Sequence, residues 1–208
     1  MQGWDVLSLI TCRIIGNDSM MFQIPATEIV KLQAEVTDTN YLEFDITGEE
    51  NIEIEELKEN IVKHKASERV LCGLDAILTG ALRSDYQKSR IERMCHDLEV
   101  ISYSPLWHNN PKDHMYELVK SGFEVMISSV SCEGLNEEWI GRVFDEESLE
   151  ELSRLSNENR FNIDGEGGEY ETSVVNAPHF SSRIFLEGEK IWKSGRGYLK
   201  IKTLKIEN

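Results

Sequence analysis

The chain has 208 residues, 40% hydrophobic and 29% charged, enough for one good core or one domain with a small appendage in the composition range of soluble globular proteins. Its net charge of −16, from 22 basic and 38 acidic residues, argues against a general nucleic-acid binder, which needs a basic face to displace counterions, and leaves a basic protein partner open. No stretch approaches the ~18 apolar residues of a membrane span, and Met1-Gln2-Gly3-Trp4-Asp5 reads as neither signal nor transit peptide, so no membrane and a cytoplasmic location are expected.

The first half alternates strand-like and helix-like segments. Val6 to Ile10 is a short apolar run that reads as a buried strand. Residues 26–37 place Ile29, Leu32 and Val36 on one helical face, and Tyr41 to Ile46 alternates with Leu42, Phe44 and Ile46 on one side. Residues 52–64 bring Ile54, Leu57, Ile61 and Val62 together as an amphipathic helix. Val70 to Leu74 with Ala76 to Leu78 fits either a buried strand or a strand running into a short helix. Ser84 then reads as a helix N-cap with Gln87 in the capping-box position, and Ile91, Met94, Cys95 and Leu98 line the inward face of that helix. Val100 to Tyr103 is the next strand. This alternation implies βαβ crossovers and an α/β fold with a mostly parallel, Rossmann-like sheet.

The second half reads differently. Asn110-Pro111 caps a helix carrying Met115, Leu118 and Val119, and Phe123 to Val130 is a strand. Asp145 starts an acidic helix with Leu149, Leu152 and Leu155 on one face. Ile184 to Leu186, Lys190 to Trp192 and Tyr198 to Ile206 read as an antiparallel meander, with Gly188 and Gly195/Gly197 marking the turns. Ser104-Pro105 and Asn109-Asn110-Pro111 suit a boundary, giving an expected nucleotide-type domain over 1–105 and a smaller α+β domain over 106–208. The four cysteines, at 12, 72, 95 and 132, form no CxxC pair and no zinc-like spacing, so reduced and mostly buried thiols are expected.

Two segments have the composition of a site. Asp164-Gly165-Glu166-Gly167-Gly168-Glu169-Tyr170-Glu171-Thr172 packs three glycines, four carboxylates and one aromatic into nine residues before apolar Val174 and Val175 begin a strand. Such glycines let backbone approach a ligand closely, and the crowded carboxylates repel one another unless a cation offsets them. An acidic surface turn is the structural alternative. The second segment, Gly80 to Arg90, follows a strand and opens a helix, where free N–H groups and the helix dipole favour anions. Lys88 and Arg90 add cationic donors, against the alternative of an ordinary capped helix with solvated basic residues.

The order of residues in these segments resembles the diphthine–ammonia ligase family of ATP pyrophosphatases, enzymes that complete diphthamide on translation elongation factor 2. The resemblance rests on Gly165 to Thr172 followed by Asn176-Ala177-Pro178-His179-Phe180; on Gly80, Ala81, Ser84, Tyr86, Gln87, Arg90 and Glu92; on Pro105-Leu106-Trp107; on Cys132-Glu133-Gly134-Leu135 with Trp139, Gly141 and Arg142; and on Gln33-Ala34-Glu35. It runs through nearly the whole chain and implies an adenine-nucleotide-hydrolase-like sheet in the first domain. One departure is large. The family opens with a strand and a Ser-Gly-Gly-Lys-Asp-Ser phosphate loop, and no such run stands in these 208 residues. In this fold class that strand lies near the centre of the sheet, and its loop cradles the ATP phosphates. A start placed too late, by roughly 25–30 residues for a helix-plus-strand unit, is the expected reason; a truncated gene and a natural short form that binds without catalysing are the alternatives.

The resemblance implies a two-step amide synthesis from ATP, Mg²⁺, ammonia and diphthine on elongation factor 2, with an ATP pyrophosphatase acting on another carboxylic acid as the alternative among enzymes. The resemblance puts Gly80, Ser84, Tyr86, Gln87 and Arg90 on the nucleotide side, Glu166, Glu169 and Glu171 in catalysis, and Gly165, Gly167, Gly168, Tyr170, Glu133, Trp139 and Arg142 on the substrate side. The three glutamates can attract diphthine's trimethylammonium group, with Tyr170 offering a ring face, or can coordinate Mg²⁺. As residues alone, Tyr86, Trp107 and Trp139 read as packing, and His108, His114 and His179 as loop histidines or proton carriers.

Overall fold

Apolar periodicity of 2 and 3.6 in the sequence becomes alternating strands and helices in the computed structural model, which describes residues 3–16, 19–67 and 69–207. The elements run β1 (Ser8–Ile14), α1 (Ile29–Val36), β2 (Asn40–Ile46), α2 (Glu53–Ser67), β3 (Ala76–Leu78), α3 (Asp85–Asp97), β4 (Ile101–Tyr103), α4 (Pro111–Lys120), β5 (Glu124–Val130), α5 (Glu146–Asn159), β6 (Tyr170–Asn176), β7 (Ile184–Lys193) and β8 (Arg196–Ile206). The chain forms two compact units, Met1–Val30 with Asp38–His108, and Lys31–Thr37 with Asn109–Asn208. Residues 31–37, which the sequence reading placed in the first domain, group with the second.

In the first unit β1 runs parallel to β2, with Ser8 opposite Asn40 and Ile14 opposite Ile46. β3 runs parallel to β4, with Ala76 opposite Ile101. Parallel neighbours need a crossover connection, which α3 supplies for the second pair. The fold is α/β as expected, but these four strands form two separate pairs, and no ladder joins β1 to β3 among the described residues. The core beneath them is Phe44 and Ile46 from β2, Ile54, Leu57 and Ile61 from α2, and Ile91, Met94 and Cys95 from α3. Val62, assigned to the apolar face of α2, is instead 49% exposed, because it lies a further 100° round the helix from buried Ile61. Residues 69–71 form a 3₁₀ turn and Gly73 has φ 79°, so the strand begins only at Ala76. Cys72 is exposed, contrary to the expectation of a buried thiol; Cys95 is buried, and Cys12 and Cys132 are half-buried. Burial, with the Glu53 carboxylate as a smaller contributor, pushes the Cys12 thiol up to about 12.

The second unit is a four-stranded antiparallel sheet in the order β6-β5-β8-β7. β5 is buried from Val125 to Val130. Leu149 and Leu152 of α5 are fully buried. That helix starts in a capping box: the Asp145 carboxylate accepts from the Ser148 amide at 2.7 Å while the Ser148 hydroxyl donates and accepts across the same turn. Asn110 caps α4 ahead of Pro111. The hairpin between β7 and β8 turns on Ser194 and Gly195, both with positive φ (53° and 80°), the two-residue turn whose twist suits flanking strands. Gly188 does not mark a turn. It sits inside a continuous β7 at a register shift, where an added Cβ would run into the Lys200 carbonyl; the glycine permits close backbone approach at a bulge. No helix among the described residues is long and apolar enough to cross a membrane.

Candidate active site

The glycine- and glutamate-rich segment folds around its own side chains. The Glu169 carboxylate accepts hydrogen bonds from the Asn162 amide and side chain, both at 2.8 Å, and from the Gly167 amide at 2.7 Å. Its backbone carbonyl accepts from the Ser131 amide at 2.8 Å, tying the loop to the end of β5. A Cβ on Gly167 would stand 2.8 Å from that carboxylate, and one on Gly165 (φ 72°) would stand 2.9 Å from the Tyr170 carbonyl and 3.1 Å from its ring. These two glycines therefore admit loop side chains. Gly168 (φ 78°) is exposed, with open space at its Cβ position.

Tyr170 is 3% exposed. Its hydroxyl donates to the Ile163 carbonyl, and its ring packs edge-on to Phe144 with centroids 6.0 Å apart. Burial, aided by the charges of Asp164 and Glu169, pushes the phenol well above its usual range. A ring this covered offers no open face to a cation; it anchors the loop. Glu169 is the loop's clamp. Glu166 stays half-buried at the loop's tip.

Glu171 is placed differently from the other two glutamates. It lies on β6, half-buried, has no hydrogen-bond partner among the described residues, and burial alone pushes its carboxyl above the usual 4.5. Across the ladder β5 is bulged between Ile127 and Ser129, so that Ser129 faces Glu171 with Ser128 as the extra residue. Ser128, Ser129 and Ser173 are 1%, 7% and 4% exposed, and the hydroxyls of Ser128 and Ser173 have no hydrogen-bond partner among the described residues. The sequence reading missed these serines. A polar pair inside the otherwise apolar run Ile127-Ser128-Ser129-Val130 was the available signal.

The remaining substrate-side residues divide. Glu133 is exposed in the turn after β5, two residues beyond Ser131 and its contact with Glu169. Its neighbour Gly134 (φ 94°) lets Asn159 come within 2.5 Å of where a Cβ would stand. Trp139 is 3% exposed and carries the Arg142 guanidinium over its ring at 4.5 Å, while Arg142 pairs with Glu151 at 2.6 Å. Arg142 lines an open cavity of about 280 Å³ with Met126, Ile140, Leu186, Lys190 and Leu199.

In the first unit, Ser84, Tyr86, Gln87 and Arg90 come together at the start of α3. The Ser84 hydroxyl accepts from the Gln87 amide at 3.3 Å, as expected of an N-cap. The Gln87 side chain does not close a capping box; it donates to the Met21 carbonyl at 3.3 Å. Arg90 lies 3.4 Å from the Tyr86 ring centroid and donates to the Tyr86 carbonyl at 3.3 Å and to the Asn51 side chain at 3.1 Å. The Tyr86 hydroxyl donates to Glu50 at 3.4 Å. These bonds gather the segments that follow β1, β2 and β3, the end of a parallel sheet where ligands bind in this fold class. Gly80 is exposed, with open space at its Cβ position.

The fit of this end to a phosphate is partial. The capped helix leaves the amides of Asp85 and Tyr86 directed out of its end, but the Asp85 carboxylate opposes an anion there. Lys88 is paired with Glu92, and Arg90 is held by Tyr86 and Asn51. For a metal ion, no group of three His, Cys, Asp or Glu side chains stands close enough to hold one among the described residues. Glu169, bound by Asn162 and Gly167, turns back into its own loop.

Comparison with known proteins adds the following. Residues 1–102 match the family model described as the diphthamide synthase N-terminal domain, and residues 110–206 match the diphthamide synthase C-terminal domain. The chain is 30% identical over 186 residues to a diphthine–ammonia ligase from Homo sapiens, covering 84% of this chain and 68% of the relative. It is 31% identical over 197 residues to one from Schizosaccharomyces pombe, covering 89% and 32%, and 32% identical over 188 residues to one from Saccharomyces cerevisiae, covering 81% and 26%. The chain thus spans about two thirds of the human relative's length and about a third of the fission-yeast relative's.

Proposed function

The chain belongs to the diphthine–ammonia ligase (diphthamide synthase) family, and we propose that it carries out the amidation that gives diphthamide, joining ammonia to the diphthine carboxylate of translation elongation factor 2 in the cytoplasm with ATP as the activating substrate. A carboxylate oxygen attacks the α-phosphorus of ATP, and the bond to pyrophosphate breaks. The ammonia nitrogen then attacks the acyl carbon, the bond to AMP breaks, and one proton leaves the nitrogen. The main support is the Gly165–Thr172 segment, where the Glu169 clamp and the Tyr170 anchor fix the loop that carries Glu166 at the start of the strand that carries Glu171.

The nucleotide side of this reading is the start of α3. The amides of Asp85 and Tyr86 meet an anion at the helix end, Ser84 sets that end by capping it, and Gln87 and Arg90 hold the neighbouring segments in place. Gly80 leaves room for close approach. Mg²⁺ arriving with ATP supplies charge neutralisation at the phosphates. On the substrate side, Glu166 favours the trimethylammonium charge of diphthine electrostatically, exposed Glu133 adds to the negative field, and Glu171 faces β5 from the ladder.

A second reading, a nucleotide- or elongation-factor-binding protein without catalysis, draws on one observation: Lys88 and Arg90 are both already paired. One experiment separates the two. The protein is incubated with diphthine-bearing elongation factor 2, ATP, magnesium and ammonium, and the factor is read by mass spectrometry. Conversion of the carboxylate to the amide, with AMP and pyrophosphate in equal amounts, is the expected result. Binding of the factor without amide favours the second reading; neither binding nor amide removes both.

A further inference from the structure

We propose that the polar strip on the β5–β6 ladder, Glu171 with Ser128, Ser129 and Ser173, holds the ammonium ion that supplies the amide nitrogen. The role assigned to the ion rests on the ligase reading above, but the site is argued from the second unit by itself.

The strip is unusual for its surroundings. β5 and β6 contribute Ile127, Val130 and Val175 to the core, each fully buried. Among them stand three buried serines and a half-buried carboxylate. Two of the hydroxyls have no hydrogen-bond partner among the described residues, and an unpaired buried polar group is costly to keep. Native proteins keep such groups for a bound guest, a water or a catalytic role. The bulge leaves Ser128 as an extra residue beside Ser129, the partner of Glu171 across the ladder.

Size and charge select the guest. Directly opposed residues of an antiparallel pair have Cβ atoms about 5 Å apart, and residues two apart on one strand stand about 7 Å apart. Glu171, Ser129 and Ser173 therefore lie within reach of one small ion, and the spacing is too tight for a trimethylammonium group to enter among them. The guest should be cationic, because the Glu171 carboxylate has no countercharge within the unit. It should also donate several directed hydrogen bonds, because serine hydroxyls and a carboxylate can all accept. Ammonium meets both conditions, with one N–H for the carboxylate and others for the hydroxyls. A carboxylate held above its ordinary range is also a better proton acceptor than an exposed one, which suits release of neutral ammonia.

The test needs no turnover. Amide chemical shifts of the isotopically labelled protein are followed while ammonium chloride is added, with sodium chloride and potassium chloride at equal ionic strength as controls. The expected result is a saturable response to ammonium alone, centred on residues 128–129 and 171–173, weakened about tenfold in Glu171→Gln, which loses a charge-assisted hydrogen bond. Ser173→Ala, which removes an unpaired hydroxyl and leaves the fold intact, should weaken it as well. Equal responses to potassium or sodium, or an unchanged ammonium titration in Glu171→Gln, overturn the proposal. A Glu171-dependent ammonium site in a protein that makes no amide would instead retain the site and remove the ligase reading.

Discussion

The two units keep their apolar side chains out of water unequally. Among the described residues, Trp4, Val6, Ile15, Met20, Ile24, Ile52, Val62, Leu78 and Ile101 are large apolar side chains left exposed in the first unit; the second leaves Tyr198. Local rules are obeyed in both. α3 and α5 are capped, and their inward faces are apolar. The difference lies in the sheets. Strands β5 to β8 join into one ladder with helices against it, whereas β1–β2 and β3–β4 remain separate parallel pairs. Parallel strands are ordinarily buried on both faces and paired on both edges. A correct hydrophobic period thus makes an element, but only a completed sheet buries it.

This contrast predicts that side-chain deletions cost most in the second unit. Tyr170→Ala removes a buried ring and its hydroxyl bond and should destabilise by roughly 3–5 kcal/mol, while Tyr170→Phe loses only the hydrogen bond, roughly 0.5–1.5 kcal/mol. Urea denaturation measures both; equal losses would mean that the hydroxyl bond, not the packed ring, anchors the loop. Next in size is Gly197→Ala. Its Cβ would meet the Ile191 carbonyl and the Trp192 ring, an overpacking worth about 1–3 kcal/mol. Gly80→Ala in the first unit meets open space and should stay within about 0.5 kcal/mol. A costly Gly80 variant would contradict the open space at that position.

Glu169→Gln keeps the shape of the clamp and loses its charge. With a part-exposed carboxylate the expected cost is about 1 kcal/mol, seen as faster hydrogen exchange at Asn162 and Gly167. In the intact protein, amides of β1 to β4 should exchange ahead of those of β5 to β8; the reverse order would remove the contrast between the units.

The smallest expected effect is a pH dependence. The carboxyl of Glu171 is raised in the folded state. Its contribution to stability is therefore fully present below the unfolded value of about 4.5 and is lost as pH rises through the folded value. Glu124, held below its usual range by hydrogen bonds from Asn176 and Arg183, acts in the opposite sense: its contribution is present above the unfolded value and lost as pH falls. Glu171→Gln should therefore gain stability over the parent as pH rises from about 4.5 toward neutrality. A gain confined to acid pH would contradict the burial of that carboxylate.

Much of the fold was legible in the sequence. Ser84, Asn110 and Asp145 announced helix starts by side-chain chemistry alone, and the structure has all three as caps. Gly188 was misread because a glycine at a bulge and a glycine at a turn answer the same demand for close backbone approach; only the partner strand tells them apart. The Gly165–Thr172 segment was legible as special, but the division of its carboxylates was not. That Glu169 would turn back onto Asn162 and Gly167 while Glu171 faced β5 depends on contacts across the ladder. Ser128 and Ser129 stand out in the sequence as a polar pair inside an apolar run, but the bulge that sets Ser129 opposite Glu171 shows only in the pairing with β6.

The most direct measurement uses diphthine whose carboxylate carries heavy oxygen. The protein is supplied with this substrate on elongation factor 2, ATP and ammonium, and the AMP released is read by mass spectrometry. If the carboxylate attacks the α-phosphorus and ammonia then displaces AMP, one heavy oxygen appears in the AMP phosphate and one stays in the amide. Unlabelled AMP alongside the amide, or ADP in its place, would contradict activation of diphthine as an adenylate.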